Sequence, residues 1–245
     1  MKYAVAIIFS CLLSFPSQAL NSFESHVLSV SQGMSAFYMY LLTEGDEKYI
    51  QQFDRYQLAA EAALNNVDIS QYSELNKNWQ EFVSKLEYRV LKDQSIFFET
   101  HTRNKYRNYL TNLYLKFQES TPPTVISKKM AFNRVQILSS ILAARALDVA
   151  SDIYGSTVLT NDDNKLDPKK IANQIQLDID YLLNQKLGAL QRSMLRKVRS
   201  KFHFIKNTMV DYKTQTAYFL IYGNMTAMNK LFNRKANKAF ANNSQ

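Results

Sequence analysis

The sequence contains very little of the residues that make turns and cross-links. Of its 245 residues, five are glycine, four are proline and one is cysteine. Sheet proteins with many tight turns use far more glycine and proline, so the composition excludes a turn-rich β fold. The lone cysteine, Cys11, lies in an N-terminal apolar segment, and the rest of the chain therefore has neither disulfides nor thiol chemistry. Stability must come from an apolar core, which a chain of this length can form.

Motifs for catalysis, metal binding and cofactor attachment are also missing. The three histidines are far apart, and none belongs to an HExxH motif or to the ExxH motif of di-iron bundles. There is no CxxCH, no GxSxG and no glycine-rich phosphate loop. The polar run NDDNKLD, at 161–167, lacks the central glycine and closing glutamate of a calcium loop. We therefore expect no cofactor, no metal site and no catalytic residue; an enzyme built from scattered carboxylates is an alternative.

The first nineteen residues have the pattern of a secretory signal peptide. Lys2 precedes an apolar segment, Ala4–Phe15, and the small residues Ser17 and Ala19 occupy the −3 and −1 positions of a cleavage site. The apolar segment is too short to span a bilayer core of about 30 Å. We predict cleavage near Ala19 and a periplasmic or secreted protein, with an uncleaved anchor as the alternative. No later stretch approaches the roughly 18 apolar residues of a transmembrane helix, so we expect the mature chain to be soluble.

The rest of the chain predicts an all-α protein. Apolar residues recur at three- and four-residue spacing through long stretches, which is the pattern of helices that bury one face. We predict an elongated antiparallel bundle of about six helices, which could be two stacked four-helix modules. The break at Thr121-Pro122-Pro123 divides the chain into an N-terminal part, 20–120, and a basic C-terminal part, 124–240.

Capping residues predict the helix ends. The six helices have these approximate limits: 21–43, 46–66, 70–118 with a kink or turn within 99–105, 125–154, 168 to beyond 188, and 212–237. Gly45 is expected at the C′ position after the first helix, and Asp46 at the N-cap of the second. Asp167 and Pro168 are typical of a helix start, and Gly188 would be a weak point inside the fifth helix.

Two stretches resemble periplasmic sensor domains. YLLTEGDEKYIQQF, at 40–53, resembles the YLLTGD…Y tip of four-helix sensor bundles in chemoreceptors and histidine kinases, with Glu44 as an extra residue. The stretch at 126–151, ISKKMAFNRVQILSSILAARALDVAS, is similar to a helix of type IV pilus chemoreceptor and nitrate-sensor modules. This resemblance implies that Arg134 binds a small anion, with Arg145 about 20° away on the helical wheel. The alternative is an arginine that pairs with a carboxylate, so an anion site requires a pocket without carboxylates.

Positive charge is concentrated near the C-terminus. Residues 183–245 contain 12 lysines and arginines against one acid, whereas residues 20–120 have a net charge of −3. Four of these cations share one helical face: Arg192, Arg196, Arg199 and Lys206. His203 lies between them, and a neighbouring apolar face has Leu195, Val198, Phe202 and Ile205. This pattern suits an anionic polymer, an anionic membrane surface or an acidic partner; a solvated face, or pairing with the acidic N-terminal part, is the alternative.

Two functional hypotheses follow from these patterns. The first is a soluble exported sensor-like bundle that binds a small ligand, with anions as the first candidates, and acts through a membrane receptor or kinase. The second is a non-enzymatic structural or interaction protein of the cell envelope that uses the basic C-terminal face. No specific nucleic-acid motif accompanies the basic residues.

Overall fold

The computed structural model describes residues 20–84, 96–121, 127–151, 165–211 and 217–233. These residues form eight α-helices and no strand, which confirms the predicted all-α class. The helices are α1 (Ser22–Leu42), α2 (Glu47–Leu64), α3 (Ile69–Ser84), α4 (Ile96–Ser120), α5 (Lys128–Ala150), α6 (Pro168–Asn184), α7 (Ala189–Val210) and α8 (Tyr218–Phe232).

Helix α5 is the central element of the bundle. It packs against α1, α4, α6, α7 and α8, and every residue from Ala131 to Asp148 is buried. Buried apolar side chains from all eight helices form one cluster around it, so the two predicted parts of the chain share a core. Burial of every residue in this range goes beyond the single apolar face of an ordinary amphipathic helix. The polar residues on its other faces are therefore also buried, and each must find partners within the core.

The turn between α1 and α2 differs from the prediction by one residue. Glu44, at φ 53°, occupies C′, and Gly45, at φ 95°, follows it. The backbone N–H of Glu44 donates to Leu41 O at 3.2 Å, and that of Gly45 donates to Tyr40 O at 2.9 Å. This pair of bonds defines a Schellman motif, in which the residue at C′ must be left-handed. Asp46 is the N-cap of α2 as predicted, and its carboxylate accepts from the N–H of Lys48 at 3.1 Å.

Other helix limits require correction. The structure has eight described helices in place of about six, because two predicted helices are each replaced by two: the third by α3 and α4, and the fifth by α6 and α7. Helix α3 ends at Ser84 and α4 begins at Ile96, with 85–95 outside the described residues. The polar run at 99–105 lies within α4. Gly188 is not inside a helix but is the N-cap of α7, where its N–H donates to the side chain of Gln191 at 3.0 Å. The start of α6 at Asp167 and Pro168 is confirmed.

Within the described ranges, none of the helices combines the length and apolar character that crossing a bilayer requires. The predicted signal peptide, 1–19, lies outside those ranges.

Candidate functional site

Arg134, the residue in the place of a sensor's ligand arginine, lies in the middle of the core. Its Nε donates to Oδ2 of Asp178 on α6 at 2.9 Å, and a terminal nitrogen donates to Oδ1. Both side chains are only 1% exposed. Gln174, one turn earlier on α6, donates to the same carboxylate at 3.1 Å. The result is a bidentate, charge-assisted contact that joins α5 to α6.

This geometry does not meet the condition for an anion site at Arg134, because the carboxylate of Asp178 occupies one bidentate face of the guanidinium. Arg145 lies 11 residues further along α5, and its side chain is buried. At 1.5 Å of rise per residue, the two arginines are roughly 16 Å apart along the helix axis. The structure therefore does not bring the two predicted ligand residues together around one small anion.

A second buried ionic cluster joins α4 to the C-terminal end of α5. Arg107 Nε donates to Asp148 Oδ2 at 2.7 Å, and Arg103 donates to the backbone oxygen and the hydroxyl of Ser151 at 2.9 and 3.0 Å. Burial raises the pKa of Asp148, and the adjacent arginines, chiefly Arg107, oppose that shift. Sequence reasoning missed this cluster, although the four-residue spacing of Arg103 and Arg107 places both on one face of α4.

His26 links four helices from its position in α1. Because a carbonyl oxygen can only accept, Nδ1–H donates to Ala60 O at 2.7 Å, and Nε2 then accepts from the Tyr109 hydroxyl at 2.7 Å. The ring of Trp79 packs edge-on against the imidazole, with the ring centroids 5.1 Å apart. Burial lowers the pKa of His26 from 6.5 to about 4, so the imidazole is neutral at pH 7. His26 is fully buried, and these contacts join α1 to α2, α3 and α4.

The predicted basic stripe lies on α7, and its placement on one helix is confirmed. The predicted apolar face of α7 is buried: Leu195, Val198, Phe202 and Ile205. The rest of the helix surface has six cations and no acid: Arg192, Arg196, Lys197, Arg199, Lys201 and Lys206. None of the six is buried, and His203 is exposed between them.

These cations have few anionic neighbours. Of these six cations, only Arg199 is in an ion pair with another described residue. One of its terminal nitrogens lies 3.4 Å from Oδ1 of Asp180 on α6. Both side chains of that pair are about half exposed, and such pairs contribute little to stability. In the described part of the chain, no cation of α7 pairs with a carboxylate of the acidic N-terminal part. The positive field of α7 therefore faces solvent.

The exposed face of α7 also has a depression and large apolar side chains. The depression has a volume of about 450 Å³ and is lined by small and basic residues: Ala189, Arg192, Ser193, Arg196, Lys197 and Ser200. Leu190 is 78% exposed and Phe204 is 64% exposed. They are four turns apart, so they lie on the same side of the helix, roughly 21 Å from each other. Lys197 and Lys201 lie on that side of α7, whereas the stripe of Arg192, Arg196, Arg199 and Lys206 is centred roughly 140° away around the helix.

Within the described residues, no group of three or more histidine, cysteine, aspartate or glutamate side chains could hold a metal ion. No protein-family model, curated protein or solved structure matches the chain. The resemblance to sensor bundles therefore rests on the two sequence stretches alone.

Proposed function

We propose that this protein is a helical bundle that docks on an anionic lipid surface through the exposed face of α7. The observation that supports this most strongly is the charge of that helix. Six cations and no acid lie between Ala189 and Val210, and of these six only Arg199 is in an ion pair with another described residue. Each lysine or arginine close to an anionic bilayer contributes about 1 kcal/mol to binding. Several cations on one face are therefore enough for measurable, salt-sensitive association.

A lipid surface is favoured over a soluble polyanion because exposed apolar side chains lie on the same side of α7 as two of its cations, Lys197 and Lys201. Leu190 and Phe204 are exposed on α7, and Lys197 lies midway between them along the helix. A polyanion in water offers such side chains nothing to be buried in, whereas the headgroup boundary of a bilayer accepts them. Full burial of a leucine or phenylalanine side chain is worth about 1.5–3 kcal/mol, and partial insertion would supply a fraction of that.

The sensor hypothesis receives less support. Its ligand residue, Arg134, is fully buried and is already bound to Asp178. A small anion would have to displace a carboxylate that is held beside the arginine by the packing of α5 and α6. The binding of a free anion would therefore have to overcome a competing intramolecular contact. For this reason the exposed face of α7 is the better candidate for a working surface.

Export is part of the proposal. The predicted signal peptide would be cleaved near Ala19, leaving a mature chain that begins at Leu20 and meets lipid headgroups outside the cytoplasm. The intact mass of the exported protein tests this directly. A mass that includes Met1 would mean that the segment is retained.

Sedimentation with lipid vesicles tests the lipid proposal. The protein should bind vesicles that contain phosphatidylglycerol and phosphatidylcholine, should bind pure phosphatidylcholine vesicles poorly, and should be released by added salt. The double variant Leu190→Ser/Phe204→Ser leaves the charge unchanged. It should weaken binding to the anionic vesicles by about tenfold while leaving retention on immobilised heparin unaltered.

Two results would contradict the choice of a lipid surface. If the double variant binds anionic vesicles as well as the native protein does, the apolar side chains take no part and a polyanion becomes the better candidate. If the native protein binds neither anionic vesicles nor heparin at low salt, the basic face serves only to keep the protein hydrated.

A further inference from the structure

A second feature, independent of α7, is a cleft where α8 lies against α1 and α5. Ten residues line it: Gln32, Ser35, Tyr56, Ser140, Ala143, Leu147, Tyr222, Met225, Thr226 and Asn229. Its floor has small side chains, Ser35, Ser140 and Ala143, all of which are buried. These small side chains leave space between α1 and α8, which touch much less than either helix touches α5. The cleft therefore exists because small residues occupy these positions on α1 and α5, beside α8.

Three polar atoms in this cleft are hydrogen-bond acceptors: the hydroxyl oxygens of Ser35 and Ser140 and Oδ1 of Asn229. The Ser35 hydroxyl donates its proton to Ser31 O at 2.9 Å, and the Ser140 hydroxyl donates to Gln136 O at 3.0 Å. Each serine oxygen has therefore used its donor within its own helix and can only accept further bonds. Oδ1 of Asn229 is buried and has no hydrogen-bond partner among the described residues. A buried acceptor without a partner requires an explanation, and a bound donor group provides one.

The size and charge of the cleft restrict what can enter. The space in which the centre of a water-sized group fits is about 20 Å³, enough for one such group, and the empty volume of the cleft including its open mouth is about 310 Å³. No charged side chain is among the lining residues. An anion would find no cation there, and an ammonium group would lose its hydration with no carboxylate to compensate. The Tyr222 hydroxyl is engaged with Gln52 at 2.6 Å, so Tyr222 has no hydroxyl proton left to donate to a ligand.

We propose that this cleft binds the NH₂ group of a small uncharged carboxamide. The two N–H bonds of such a group donate to two of the acceptors provided by Ser35, Ser140 and Asn229. The remainder of the ligand extends toward the open mouth, beside Tyr56 and Tyr222. A primary amide meets the three restrictions together: it is neutral, it donates two hydrogen bonds from one atom, and its donor group is about the size of a water molecule.

Methyl-labelled methionine provides a reporter, because Met225 lines the cleft. We would titrate the full-length mature protein with acetamide, with N,N-dimethylacetamide and with acetate, and follow the ¹³C-methyl signal of Met225 by NMR. Acetamide should shift that signal with a millimolar dissociation constant. N,N-dimethylacetamide, which has no N–H, and acetate, which is an anion of similar shape, should leave it unchanged.

Variants then locate the site. Ser140→Ala should weaken acetamide binding about fivefold, and Asn229→Leu should abolish it. The matched control is Ser139→Ala, because Ser139 is a neighbouring serine on α5 that is equally buried but does not line the cleft. If Asn229→Leu fails to fold, Ser35→Ala takes its place and should act like Ser140→Ala.

Three results would overturn the proposal. An equal response to N,N-dimethylacetamide would show that no donor is required, and equal weakening by Ser139→Ala would place binding elsewhere. No response to any probe at high concentration would mean that the cleft holds only water. None of these results bears on the binding of lipid by α7.

Discussion

Nε of Arg134 lies 2.9 Å from Oδ2 of Asp178, between α5 and α6 and fully inside the core. A buried ion pair is costly to form, but removing one partner is costlier still, because the other charge is left without compensation. The pair thus makes the register of α6 against α5 sensitive to either residue. It also keeps Arg134 from contact with solvent.

The first prediction concerns this pair. Asp178→Ala should lower the free energy of unfolding by about 3–5 kcal/mol, because a guanidinium would remain buried without its carboxylate. The matched control on the same helix is Asp180→Ala, which removes the exposed partner of Arg199 and should cost less than about 1 kcal/mol. Urea denaturation measures both changes. Equal small losses would show that Asp178 is not needed to neutralise Arg134.

The second prediction is a dependence of stability on pH through His26. Its pKa is lowered to about 4 in the folded protein, against 6.5 for an unperturbed imidazole. Between these values the unfolded chain binds the proton and the folded chain does not, so the contribution to stability is complete above pH 6.5 and is lost as the pH falls toward 4. The total loss is about 3 kcal/mol, at 1.36 kcal/mol per pKa unit.

Comparison of variants isolates the His26 contribution. Burial raises the pKa of Glu24 and of Asp148, and these shifts act on stability in the opposite direction over the acidic range. Unfolding should therefore be followed from pH 7 to pH 4 for the native protein, His26→Gln and His203→Gln. His203 is exposed, so its variant should retain the native slope, while His26→Gln should lack the contribution of the buried imidazole. Parallel slopes for all three proteins would exclude His26 as the cause.

The third prediction concerns the α1–α2 turn. Glu44 holds a left-handed conformation at C′, so Glu44→Gly should stabilise the protein by about 1 kcal/mol. Gly45→Ala should destabilise it by a similar amount, because φ is 95° there, a backbone conformation that L side chains rarely adopt. As a control, Gly223→Ala lies within α8 with open space around it and should be neutral or stabilising. Thermal unfolding compares the three, and a stable Gly45→Ala variant would contradict the turn geometry.

The sequence predicted the fold class and several helix ends because these depend on local chemistry. The side chains of Asp46 and Asp167 cap helices by accepting from backbone N–H groups close by in the sequence. The apolar face of α7 is predicted by the three- and four-residue spacing of its apolar residues. The prediction that Gly188 lies inside a helix was wrong. Helix α6 ends at Gln185, whose backbone is extended with ψ at 160°, and apolar spacing does not reveal this end. Local patterns therefore predict elements better than they predict where one element is divided in two.

The candidate sites were less predictable because they depend on contacts between residues far apart in sequence. Arg134 and Asp178 are separated by 44 residues, and nothing near Arg134 in the sequence indicates the carboxylate that binds it. The basic surface of α7 was predictable, since one helix contains all of its cations. The exposure of Leu190 and Phe204 was not, because it depends on how α7 packs against α6 and α8.

The most direct test of lipid binding by α7 is a comparison of two triple variants that have the same net charge. Arg196→Gln/Lys197→Gln/Lys201→Gln removes the three cations of α7 that lie nearest to Leu190 and Phe204 around the helix. The control, Lys77→Gln/Lys128→Gln/Lys129→Gln, removes three exposed cations from α3 and α5. Both variants should fold, because exposed charges contribute little to stability.

The measurement is the partition coefficient onto vesicles that contain phosphatidylglycerol, at about 0.1 M salt, where the Debye length is about 10 Å. At about 1 kcal/mol per cation, the α7 variant should bind roughly 100-fold more weakly than the native protein. The control variant should bind within a factor of about three of the native protein, because cations remote from the contact are largely screened. Equal losses for the two variants would mean that net charge alone drives binding, and no loss in the α7 variant would mean that α7 does not bind the lipid surface.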